Sequence, residues 1–165
     1  MGLPILLLHG GREPAAAVAR TAGALAQEHG FPVRSADMDR LSSDALPWKS
    51  RVLFLLAPPL ATGLFSVTGA FWHRVVRMRS LDLRSLRYSI LAVGTHGDTT
   101  LMPVVAELDR ALLQQQARRS YPAMHCAPDD EISIRVWLCG SLAVWREPRP
   151  TGPATPGIPL GAVQV

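Results

Sequence analysis

The stretch LLLHGGREPAAAVAR, residues 6–20, decides how the rest of the chain is read. An apolar run ends in His9, Gly10 and Gly11, and an alanine-rich segment follows. Two chemistries use such letters. One is the oxyanion-hole loop of an esterase, which also needs a Gly-x-Ser-x-Gly nucleophile elbow. The other is a glycine turn from a first strand into a first helix whose leading N–H groups face an anion. No Gly-x-Ser-x-Gly pentapeptide occurs, and the neighbours of Ser66, in GLFSVTG, do not permit the tight elbow. The strand, turn and helix remain: Pro14 suits a first helical turn, where its missing N–H would be unpaired anyway, and Gly30 stops the helix.

Working outward, residues 4–8 read as the first strand, 14–28 as the first helix and 31–37 as the second strand. Residues 52–56 and 88–93 are short continuous apolar runs, the pattern of strands covered on both faces. Between them Phe71, Val75 and Met78 recur at helical spacing and predict a helix over 67–78. Leu101, Val105, Leu108 and Leu112 predict another over 101–116. A fifth strand is expected over 120–124 and a last helix over 130–145, with Ile134, Trp137, Leu138, Ser141 and Trp145 sharing one face. Residues 37–50 have no strong period and read as a loop or weak helix. Strands alternating with helices point to an open, parallel α/β sheet.

Length and composition set the bounds. A chain of 165 residues, 48% hydrophobic, is one domain with a sizeable core, expected to span 1–146. Residues 147–165 turn to proline, glycine and small apolar types without period and read as a flexible tail or linker. A net charge of +4, with no five-residue run of like charge, lacks the footprint of a nucleic-acid binder. The start MGLPILLL has no basic leader and reads as a strand, and no run approaches the roughly eighteen apolar residues of a membrane span. Neither nucleic acid nor membrane is therefore expected as a partner. Cys126 and Cys139 are too few for a disulfide scaffold and lack metal-ligand spacing with the histidines. They read as two buried structural thiols of a reducing, cytoplasmic compartment. Met78, Met102, Trp72, Trp137 and Trp145 read as core, and His29, His73 and His125 as surface or loop residues.

In an open α/β sheet, ligands sit outside the carboxyl ends of the strands where the strand order reverses. Residues 9–13, 57–66, 94–99 and 125–129 are the loops on that side. The stretch LRYSILAVGTHGDTTLMPVVAELDRALLQQQARRSYPAM, residues 86–124, resembles the flavodoxin-like FMN domain of diflavin reductases, the group of cytochrome P450 reductase and methionine synthase reductase. It shares the leucine-arginine-tyrosine strand entry, the strand ending in glycine, the helix bearing Leu-Asp with a basic residue after, and the tyrosine-proline strand. Asp129 and Asp130, followed by Trp137 and Trp145, are similar to that family's acidic pair and last helix. The resemblance covers about residues 3–145 and implies a three-layer α/β/α sandwich with a five-stranded parallel sheet in the order 2-1-3-4-5.

The same resemblance implies FMN as cofactor, and electron transfer from a reductase module to a protein acceptor. It assigns His9, Gly10, Gly11 and Arg12 to the FMN phosphate. Ala57, Pro58, Pro59 and Thr62, with Gly94, Thr95, His96, Gly97 and Asp98, are assigned to the isoalloxazine ring. No catalytic residue or metal ligand is assigned. The loops depart from the family pattern: the first has no serine or threonine hydroxyl, the second carries Pro58 and Pro59 where an aromatic and glycines are usual, and Asp98 stands at a ring-stacking position. Phe65 is the nearest aromatic substitute. A flavodoxin-like scaffold without flavin, serving as a protein-interaction module, is the alternative. With no room for a nicotinamide module, the chain is at most the FMN module of an NADPH-dependent oxidoreductase. Arg74, Arg77, Arg79, Arg84 and Arg87 cluster in sequence and suggest either a solvated face or docking to an acidic protein.

Overall fold

The computed structural model describes residues 4–10, 13–41, 50–58, 70–95 and 100–146. β1 (Ile5–Gly10) leads into α1 (Ala15–Glu28), then β2 (Val33–Asp37) and a short 3-10 turn, Met38–Arg40. β3 (Arg51–Leu56) is followed by α2, which begins as Ala70–Trp72 and continues in π-helical form over His73–Met78. β4 (Arg87–Val93), α3 (Leu101–Gln114), β5 (Arg118–Arg119), β6 (Met124–Cys126) and α4 (Glu131–Trp145) complete the chain. Every strand pairing is parallel, and the sheet runs β2-β1-β3-β4 with β5 and β6 both on the outer side of β4. Five positions in the order 2-1-3-4-5 result, as the resemblance implied. Residues 147–165, the expected tail, lie outside the described residues.

The sheet carries helices on both faces because its central strands are apolar on both. Leu8, Val52, Phe54, Tyr88 and Ile90 turn to one face and pack with Phe71, Val75, Val105, Leu108 and Leu112 of α2 and α3. Ile5, Leu7, Leu53, Leu55 and Leu91 turn to the other and pack with Val18, Ala22, Ile134, Trp137 and Leu138 of α1 and α4. The five residues expected to share the inner face of the last helix are all buried.

Several expectations need correction; His125, read as a surface or loop residue, lies in β6 and is half-buried. The fifth strand is not one run over 120–124; β5 and β6 flank that segment. Tyr88 pairs with Arg119 and Leu91 with Met124, so four residues, Ser120, Tyr121, Pro122 and Ala123, stand opposite Ser89 and Ile90. Pro122 has no N–H for the ladder. Ser120 and Tyr121 are committed to α4: the Trp145 indole donates to Ser120 Oγ at 2.6 Å, and the Tyr121 ring fills the space over Gly140.

Met78 and Met102 are also exposed, at 57% and 43%, rather than core, whereas Trp72, Trp137 and Trp145 are buried as expected. The π-helical turn explains Met78, since each wide turn adds a residue and rotates the expected four-three spacing away from the core. Last, Cys126 is buried but Cys139 is exposed.

Candidate functional site

The order 2-1-3-4-5 reverses direction between β1 and β3, and there the strand ends are drawn together. Ala57 donates its backbone N–H to the Gly10 carbonyl at 3.0 Å, and Gly94 donates to the Cys126 carbonyl at 3.0 Å. Pro58 lies against Gly94, its ring 3.5 Å from where a Cβ would stand. Six of the assigned residues, His9, Gly10, Ala57, Pro58, Gly94 and Thr95, thus border one edge of the sheet. Gly11, Arg12, Pro59, Thr62, His96, Gly97 and Asp98, and also Phe65, lie outside the described residues.

α1 rises from this edge. Its N-cap is Pro14, with no side-chain cap and no acidic residue in the first turn. Its first hydrogen bond among the described residues runs from the Val18 N–H to the Pro14 carbonyl at 3.0 Å, and the N–H groups of Ala15, Ala16 and Ala17 have no acceptor among those residues. The positive end of the helix dipole stands at this start, the kind of end that favours an anion. Glu13, just before this start in sequence, is turned to Arg20 at 3.4 Å in an exposed pair. α3 likewise starts without a side-chain cap, at Thr100. α4 differs: Asp130 caps it, accepting from the Ser133 N–H at 3.0 Å and the Ser133 hydroxyl at 2.6 Å. Sequence reasoning assigned that acid to a family pair and missed the cap, although an Asp three residues before a Ser at the start of an apolar helix is its ordinary signal.

The chemistry of the other site groups is narrower. His9 belongs to the α1 side of the sheet, between Asp37 of β2 and Leu55 of β3 in register. Its Nδ1 is buried with no hydrogen-bond partner among the described residues. A Cβ on Gly10 would stand 2.9 Å from Met38 Sδ and 3.2 Å from Leu56 Cδ2, so protein side chains occupy the space that glycine opens. Burial, reinforced by the Asp130 carboxylate, pushes the Cys126 thiol up to about 11, which keeps it protonated and unreactive at neutral pH. Among the described residues no group of three His, Cys, Asp or Glu side chains could hold a metal ion, and no helix is long and apolar enough to cross a membrane.

No family model and no curated protein matches the chain. Solved structures do. A flavodoxin from Streptococcus pneumoniae TIGR4 superposes with a TM-score of 0.67 at 10% identity, over 87% of this chain and 98% of that one. A short-chain flavodoxin associated with a bacterial microcompartment gives 0.69 at 13% identity over the same shares. A cysteine-to-serine mutant of the flavodoxin from Pseudomonas aeruginosa gives 0.64 at 18% identity, over 86% and 98%. These likenesses extend over nearly the full length of each flavodoxin and agree with the sheet order traced above. The chain has the flavodoxin-like fold.

Proposed function

We propose that this chain is an FMN-binding electron-transfer domain of the diflavin reductase kind, taking electrons from a reductase module and passing them to a protein acceptor. The uncapped start of α1 at the end of β1, beside the reversal of strand order, carries the proposal. When bound, FMN supplies chemistry in one- and two-electron steps. The chain's part is to hold and surround it. The Ala15, Ala16 and Ala17 amides receive the phosphate, and Arg12 adds a full charge where the family uses hydroxyls. The ring would be held by Pro58 and Thr95, and the resemblance assigns it also to Pro59, Thr62, His96, Gly97 and Asp98, which lie outside the described residues.

A second reading, a flavodoxin-like scaffold without flavin, rests on different observations. The N–H groups of Ala57 and Gly94 are already spent on carbonyls, and Met38 fills the space beside Gly10. One titration separates the two. Quenching of flavin fluorescence by the purified chain is expected to saturate at micromolar FMN, with riboflavin, which lacks the phosphate, at least about tenfold weaker, a difference of about 1.4 kcal/mol. Absence of FMN binding up to about a millimolar, near 4 kcal/mol of affinity, selects the scaffold. Equal affinity for riboflavin would remove the phosphate role of α1.

A further inference from the structure

The opposite edge of the sheet, where the strands begin, carries an arrangement the electron-transfer reading does not use. The register places Arg51 of β3 beside Arg87 of β4, and Arg87 beside Arg118 of β5. Three arginines therefore stand in one row across adjacent parallel strands, on the face where Ser89, two residues on, meets Ser141 of α4. Neighbouring strands lie about 4.8 Å apart, so the row is about 10 Å long. Like charges directly opposite on a sheet destabilise it. Arg87 and Arg118 are exposed, and neither guanidinium has a hydrogen-bond or ion-pair partner among the described residues. The last turn of α4 lies over this face, with Trp145 bonded to Ser120. A helix C-terminus offers only about half a negative charge, against two positive ones that are unpaired among the described residues.

Other charges at that edge add to the row. Arg146 ends α4 there, and of the acids, Asp82 is already held by Arg84 at 2.6 Å. The arginines clustered in sequence sort differently in space: Arg79 donates to the Val76 carbonyl at 2.8 Å and to Gln114 at 2.6 Å, and Arg84 belongs to Asp82. Arg87 alone of those five joins the row.

We infer that Arg87 and Arg118, the exposed end of this row, dock the carboxylate-bearing face of an acidic protein helix. On a helix, side chains three and four residues apart lie about 5–6 Å from one another, close to the strand spacing. The guanidinium fork takes a carboxylate in two parallel hydrogen bonds. A duplex nucleic acid presents one charge per about 3.4 Å of each strand, so a patch of about 10 Å meets only about three phosphates per strand, too few for a groove-tracking surface. The surface lies at the edge opposite the candidate flavin site and stands independently of it.

The test uses fluorescence anisotropy with a labelled helical peptide of repeated Ala-Ala-Glu-Glu units and, in parallel, a labelled DNA duplex. The peptide is expected to bind saturably, and to weaken by about tenfold between about 50 and 300 mM salt. The Arg87→Glu/Arg118→Glu double variant is expected to abolish binding, and the milder Arg87→Gln/Arg118→Gln variant to weaken it by at least about tenfold. Both variants are expected to melt no lower than the parent, because the like-charge row is relieved. FMN titration of the same variants is expected to match the parent. No saturation by the peptide, tighter binding of the duplex, or peptide binding unchanged in the glutamine variant would each overturn the inference.

Discussion

On the face covered by α2 and α3, the buried polar side chains bridge separate elements. The Gln115 amide, 4% exposed, donates to the Val75 carbonyl at 2.7 Å and the Ala111 carbonyl at 2.9 Å, and its oxygen accepts from the Leu81 N–H at 3.0 Å. One side chain thus closes the end of the π-helical segment, the end of α3 and the turn between α2 and β4. Tyr88 reaches Asp109 of α3 at 2.6 Å, and Arg119 holds the other carboxylate oxygen at 2.7 Å. On the face covered by α1 and α4, Ser141 and Ser89 meet at 2.9 Å, and Ser141 also lies 2.9 Å from its own helix's Trp137 carbonyl. α4 is also seated by the Trp145 indole on Ser120 Oγ and by shape, with the Tyr121 ring in the space left by Gly140. A buried hydrogen bond matters through what its loss strands. Gln115 would leave main-chain groups of three segments behind, whereas the serine pair would leave only itself.

The contrast can be broken in order of expected effect. Gln115→Leu keeps the volume but strands the Leu81 N–H and the Val75 carbonyl. It is expected to cost about 3 kcal/mol, or about 6–12 °C in thermal melting for a chain of this size. A loss within about 1 kcal/mol would show that the bridge is dispensable. Gly140→Ala would drive its methyl into the Tyr121 ring and is expected to cost about 2 kcal/mol. Adding Tyr121→Ala should recover part of that loss, and strict additivity in the double-mutant cycle would refute the contact.

Tyr88→Phe is expected to cost about 1 kcal/mol at pH 7. Burial, then the Asp109 bond and its negative charge, raise the Tyr88 phenol far above its ordinary value of 10.0. A raised phenol contributes stability that is fully present below the unfolded value and declines above it, so the parent should lose up to about 1.4 kcal/mol per pH unit beyond pH 10 relative to the phenylalanine variant. Parallel pH profiles for the two in chemical denaturation would remove Tyr88 from that role. Replacing both Ser89 and Ser141 with alanine is expected to change stability by less than about 1 kcal/mol, since two partners are removed together. A cost as large as that of Gln115→Leu would erase the distinction between the faces.

Asp82 sits outside both cores, in a bidentate exposed pair with Arg84 that holds its carboxyl at about 2 rather than 3.8. Its contribution is present above 3.8 and disappears as pH falls toward about 2. Asp82→Asn should leave melting at pH 7 unchanged within about 2 °C, as exposed pairs generally do.

The parts of the fold that burial dictates were legible. β3 and β4 announce themselves as unbroken apolar runs, and α3 as leucines and valines at helical spacing, because every residue there is chosen by the core it enters. The errors fall where a single local contact outranks periodicity. α3 was expected to reach residue 116, yet it ends at Gln114, and Gln116 adopts a left-handed φ of 69°. Gln115 spends its side chain on neighbouring segments, a commitment that no pattern of hydrophobic spacing records. The break in the fifth strand is of the same kind, fixed by Trp145 reaching Ser120 and Tyr121 covering Gly140. At the candidate site the strand ends were legible for the same reason the strands were. Ligand choice depends on side chains with no period, and beside Gly10, assigned to the FMN phosphate, the space is taken by Met38.

That broken fifth strand also decides how the sheet ends. A parallel sheet with an apolar interior leaves at its margin a row of unpaired N–H and C=O groups, a template on which another chain could grow. Here the margin is two residues, an interruption containing Pro122, and three residues more, with two arginine charges at one end. No incoming strand finds enough consecutive partners to register. The kink that seats α4 therefore also guards this side of the molecule against edge-to-edge aggregation, and straightening it would exchange a pinned helix for an open seam.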